Sequence, residues 1–146
     1  MEIRFKYEDL IARCEQLSSF ESEGKVDDAG QSRYLEIHIN EVDRQLIMQY
    51  ILQARTTLEE SMERMISTVV EIKDQAFVWK LRSDARWKPS STFNRHIAEA
   101  IVSYAMAQWL SGRLDERVAF YEGLFTSSLA LATKNIFTKQ APTYEI

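Results

Sequence analysis

Cysteine, proline, glycine and histidine are all scarce in this chain. A single cysteine, Cys14, excludes an intramolecular disulfide framework and fits a reducing compartment. Two prolines and four glycines in 146 residues leave little material for a fold made of many tight turns. No run reaches the roughly 18 apolar residues that a membrane span needs, and the opening MEIRFKYEDL has acidic residues where a signal peptide needs an apolar stretch. The chain therefore reads as cytoplasmic and free of the membrane. HExxH, P-loop, GxGxxG and GxSxG patterns are all missing. With a net charge of -4, binding to nucleic acid through overall positive charge is excluded, and no sequence-specific nucleic-acid role is expected.

What remains is a helical signal. A hydrophobic fraction of 45% with 27% charged residues is that of a globular protein, and the length suits one domain spanning residues 1–146. The stretch Phe93–Leu110 carries two adjacent apolar lines, Phe93, Ile97, Ile101, Tyr104 and Ala98, Val102, Ala105, Trp109. Two stripes side by side predict a central helix covered on more than one side. Gly112 is its expected stop, and Ser90 or Ser91 its expected cap.

Around that helix the other elements fall into order. Leu10, Ile11, Cys14 and Leu17 predict a first helix over Tyr7–Phe20, with Phe5 and Phe20 pinning its ends. Residues 21–32, ESEGKVDDAGQS, are too polar to order themselves by burial and read as a flexible loop. RYLEIHIN alternates as a strand does, so extended structure is expected up to Asn40. Asn40 with Glu41 and Asp43 marks a helix start. The stripe Ile47, Ile51, Ala54, Leu58, Met62, Met65, Val69 predicts a helix from Glu41 to Ile66, about 39 Å long at ~1.5 Å per residue. An extended insertion over about residues 67–90 follows, either a hairpin turning near Lys73 to Gln75 or one crossover lying across the helices. A last helix from Leu114 to about Thr138 has Leu114, Val118, Tyr121, Phe125, Leu129, Ala132 and Ile136 on one face. Its short connection to the central helix predicts an antiparallel pair. The expected fold is all-α, a bundle of about four helices with a short extended or β-hairpin insertion.

Few constellations invite chemistry. Cys14 lies among apolar residues with no histidine nearby, as a small core residue would. His96 and Glu99 form H-x-x-E, the reverse of the di-iron order, and His38 near Glu36 lacks further ligands, so no metal, cofactor or catalytic residue is expected. Arg33 and His38 match the loose R-x4-H spacing of small helical HEPN-type ribonucleases, whose members carry it on a late helix. Lys80, Arg82, Arg86, Lys88 and Arg95, with Trp79 and Trp87 among them, form a basic and aromatic cluster suited to an acidic partner surface. The simpler reading is that the tryptophans anchor the segment in the core while the cations stay in water.

Three blocks carry a resemblance: INEVDRQLIMQYILQARTTLEESM, then FVWKLRSDARW, then IAEAIVSYAMAQWLSGRLDERVAFYEGLFTSSLALATK, in which Tyr104, Trp109 and Tyr121 stand out. Over about Ile39 to Pro142 their pattern of helix lengths and aromatic positions is similar to small helical head-tail connector, or adaptor, proteins of phages and prophages. The resemblance implies a non-enzymatic subunit that joins copies of itself into a ring and meets portal or tail proteins, in the host cell or on the virion. Phe77, Trp79, Arg82, Arg86, Trp87 and Lys88 are then the candidate contact residues. The alternative is a helical regulatory or chaperone-like module that binds one partner protein, and a third reading is the HEPN-like ribonuclease.

Overall fold

The computed structural model describes residues 2–82 and 92–136, the side chains of 135 and 136 excepted. The chain begins with strand β1 (Glu2–Lys6) and continues through helix α1 (Tyr7–Ser22), a single helical turn α2 (Tyr34–Ile37) and helix α3 (Arg44–Ser61). Strands β2 (Ile66–Ile72) and β3 (Ala76–Leu81) follow, then helices α4 (Phe93–Leu110) and α5 (Val118–Ile136). The strands form one antiparallel sheet in the order β1-β3-β2. The fold is mostly helical but mixed, which corrects the all-α expectation.

The central helix is where periodicity placed it. Eleven α4 side chains are buried, including Phe93, Ile97, Ile101, Val102, Ala105 and Trp109, because α1, α3 and α5 all pack against it. Gly112 stops it at φ 84°, a left-handed conformation that costs glycine little. The Gly112 N–H donates to Asp115 Oδ1 at 2.7 Å, tightening the turn that returns α5 antiparallel to α4. Trp109 Nε1 donates to the Ile37 carbonyl at 2.7 Å and so ties α2 to the core. The residue at its N-cap is Thr92, in place of the expected Ser90 or Ser91, which lie outside the described residues.

Three expectations are corrected. First, RYLEIHIN is a helical turn over Tyr34–Ile37, and extended backbone begins only at His38, with ψ 135°. Arg33 and Glu36, paired at i,i+3, clip this turn with hydrogen bonds of 3.1 Å. Second, the long helix is shorter at both ends. Glu41–Asp43 form a 3-10 turn in which the Asp43 carboxylate accepts from the Asn40 N–H at 2.9 Å. At the other end α3 stops at Ser61, and buried Met62 and Met65 continue its apolar stripe into the turn before β2. Third, Phe5 belongs to a strand and Phe20 is 64% exposed, so neither pins a helix end as expected.

The hairpin alternative holds over β2 and β3, with its turn at residues 73–75 and Asp74 at φ 60°. β1 lies on its far side in register, Phe5 opposite Phe77 and Ile3 opposite Trp79. The inner face of the sheet is aromatic: Phe5 stacks on Phe77 at 4.9 Å between centroids and meets Trp79 edge-on at 5.3 Å. Within residues 21–32, the Asp27 carboxylate accepts from the Ala29 and Gln31 N–H groups, and Val26 bridges Ser32. Local hydrogen bonds shape this turn in place of burial.

Candidate functional site

A groove of about 590 Å³ opens between α1, α4 and α5. Leu10, Leu17, Ala98, Val102 and Leu124 line it, together with buried Ser103 and Ser128. Along α1 it runs from Asp9 to Phe20, about 16 Å at ~1.5 Å per residue, or some three helical turns. Its charged lining carries both signs: Asp9, Arg13, Glu21, Arg95, Glu99 and Arg117.

Exposed aromatics frame the opening. Phe20 on α1 and Phe120 on α5 are 64% and 47% exposed, and Leu124 and Leu131 continue the exposed line along α5. Helix α5 carries only two charged residues, Glu122 and Lys134, over its 19 positions. Its inner stripe is the predicted one, with Tyr121 and Ala132 buried and Val118, Phe125 and Leu129 partly so. Phe120, Leu124 and Leu131 make a second stripe at helical spacing beside the first, exposed along the opening of the groove. A wide apolar face with an exposed margin is ordinarily covered by a further partner.

One wall of the groove is held by a buried charge. Glu21, 5% exposed, accepts both Arg117 Nε at 2.9 Å and a second guanidinium nitrogen at 3.0 Å. The Tyr121 hydroxyl donates to the same carboxylate at 2.8 Å. Burial and this bond push the Tyr121 phenol above its ordinary pKa, and the Glu21 bond raises Arg117. Arg117 also lies over the Phe120 ring, 4.0 Å from its centroid, which fixes that aromatic at the rim. The pair thus joins the end of α1 to the turn that precedes α5 at one end of the groove.

The sequence candidates fall elsewhere. Phe77 and Trp79 are fully buried on the inner face of the sheet, where a partner cannot reach them in this fold. Trp79 Nε1 donates to Glu59 at 3.1 Å, anchoring β3 to α3. Arg82 is exposed at the end of β3, and Arg86, Trp87 and Lys88 lie outside the described residues. Lys80 pairs with Glu2 across the sheet, while Arg95 sits on α4 in the groove. Of the described cations of the cluster, Lys80 and Arg82 thus lie at the sheet and Arg95 in the groove.

Other chemistry-bearing residues have structural engagements. Arg33 binds Glu36 and the Arg113 carbonyl, and His38 stacks on Tyr34 with ring centroids 4.6 Å apart. Cys14 is fully buried, and burial pushes its thiol up to about 12, so it is a core residue with no thiolate to offer. Among the described residues no group of three or more His, Cys, Asp or Glu is arranged to hold a metal ion, and no helix is long and apolar enough to cross a membrane.

Sequence reasoning missed the groove residues Phe20, Glu21, Arg117, Phe120 and Leu124. The spacing of Phe120, Leu124 and Leu131 was a readable signal, a second stripe beside the first as in α4. Comparison with protein families, with curated proteins and with solved structures finds no significant match.

Proposed function

We propose that this chain is a non-enzymatic assembly subunit that works by joining copies of itself, as its resemblance to head-tail connector proteins implies. One observation carries the reading: the three-helix groove, with an apolar floor, exposed Phe20 and Phe120 at its mouth and the exposed stripe of α5 beside it. A groove of some three turns suits an apolar helical segment of a neighbouring copy, seated in the manner of a helix in a cleft. Repeated around a closed ring, such a head-to-tail contact would cover the exposed stripe of α5 in every subunit. The ring would then meet portal and tail proteins through its upper and lower surfaces.

The test is the mass of the purified chain in solution by light scattering over a concentration series, for the wild type and for Leu124→Glu with Phe120→Ala. Assembly in the wild type that the double variant loses, with unchanged circular dichroism, supports the reading. A wild type that is monomeric at every concentration moves the assignment to a module that binds one partner protein, with the same groove as its binding site.

A further inference from the structure

The two open edges of the sheet are built differently. β1 presents Glu2, Arg4 and Lys6, all exposed and all charged, which is how an edge strand is kept from pairing with another chain. β2 has no such protection between the irregularity near Ser67 and the turn at residue 73. Its run Thr68–Ile72 contains one charge, Glu71, which accepts from the Tyr7 hydroxyl at 2.8 Å and pairs with Arg55. Val70 is 38% exposed on the outer face.

The ladder shows which backbone groups this edge offers. In an antiparallel sheet, consecutive residues turn their N–H and C=O groups alternately to the two neighbours. The Tyr7 N–H bonds the Gln75 carbonyl at 3.0 Å, which places the odd-numbered positions of this segment on the β1 side. Ala76, Val78 and Lys80 then bond β2 through Ile72, Val70 and Thr68. Val69 and Glu71 therefore aim their N–H and C=O groups outward, where no other strand of the described residues lies.

We infer that β2 pairs antiparallel with β2 of a second copy, about a two-fold axis at Val70, to make a continuous six-stranded sheet. The inference rests on the self-association proposed above and adds to its head-to-tail groove contact a separate two-fold contact that joins copies in pairs. In this register Val69 stands opposite Glu71 of the second copy and exchanges two N–H···O bonds with it; the symmetric pair doubles them. On the outer face Val70 meets its own counterpart at the close, non-hydrogen-bonded position, and Thr68 stands opposite Ile72. No like charges are opposed, so the strand is complementary to itself. A partner of another sequence would have to supply this match, whereas a second copy already has it.

The self-pair at residue 70 gives a charge-exchange test on the full chain. Val70→Lys and Val70→Glu each place like charges face to face at the axis, on an exposed position opposite Val78 within the fold. Each variant alone is expected to weaken self-association on the order of tenfold, with circular dichroism unchanged. Mixed in equal amounts, the two are expected to associate as a heterodimer, measured by analytical ultracentrifugation. Variants that self-associate like the wild type overturn the edge contact while leaving self-assembly standing on another surface. A mixture that fails to associate when each variant is folded also overturns it. A wild type that stays monomeric at all concentrations overturns both this contact and the assembly reading.

Discussion

Arg55 shows how one side chain can hold three elements. From α3 it donates to Glu59 at 2.6 Å and to the Tyr7 hydroxyl at 2.7 Å, pairs with Glu71 on β2 and lies 4.7 Å over the Phe77 ring. Burial opposes its charge, but the bonds to Glu59 and Glu71 outweigh this and raise its pKa. Nothing in the sequence marks Arg55 for this role, because Tyr7, Glu71 and Phe77 are contributed by other segments. Arg55 is mostly buried but Glu71 is 44% exposed, so removing Arg55 leaves a carboxylate pair that solvent partly screens. Arg55→Met is expected to lower stability by about 1–2 kcal/mol in urea unfolding, and Tyr7→Phe by about 1 kcal/mol.

The same residue scale sets the alkaline limit of the fold. Burial and then the Glu71 bond raise the Tyr7 phenol from 10.0 to about 12, and burial raises the Cys14 thiol from 9.0 to about 12. Both folded-state values lie above the unfolded ones, so the neutral forms are favoured by folding. Their contribution is complete below pH 9 for Cys14 and below pH 10 for Tyr7, and it is lost as pH rises through 12. Unfolding free energy is thus expected to fall over that window. Cys14→Ala should flatten the fall from pH 9 upward and Tyr7→Phe from pH 10 upward, each checked by denaturant titration at stepped pH.

At the scale of elements, legibility followed the range of the interactions. The boundaries of α4 were readable because both stripes, the glycine stop and the apolar start lie within one short window. The turn and the β-branched residues marked extended structure over β2 and β3 but left a hairpin and a single crossover equally open. β1 was not recognised, although Ile3 and Phe5 alternate with Glu2, Arg4 and Lys6, because five residues carry little signal until their partner strand is known. α2 deceived in the opposite sense: its alternation suits a strand, but an i,i+3 ion pair and the Trp109 bond hold a helical turn. The role of β1 has a direct test. Phe5→Ala removes a ring packed against both Phe77 and Trp79 and is expected to cost about 3–4 kcal/mol, measured by thermal or urea unfolding.

For the whole molecule, burial separates what holds the fold from what is offered outward. The aromatic residues that drew attention in sequence, Phe77 and Trp79, are spent on the core, while Phe20, Phe120 and Leu124 stand at the groove. Sequence patterns could not sort these five, since a face turned to the core and a face turned to a neighbour have the same composition. The groove and the β2 edge lie on different elements, so substitutions at Leu124 and at Val70 are expected to act additively on assembly, a point that light scattering on the combined variant would check.

The strand order also governs when the protein can fold. β3 is the middle of the sheet but the last of its strands to be made, and β1, the first, has no partner until residue 80 pairs with residue 2. During synthesis the N-terminal strand must wait through the whole of α1, α2 and α3 before its backbone groups are taken up. A nascent chain halted before residue 76 would therefore display Ile3, Phe5 and an open β2 together, and is the form of this protein most exposed to aggregation and to capture by chaperones.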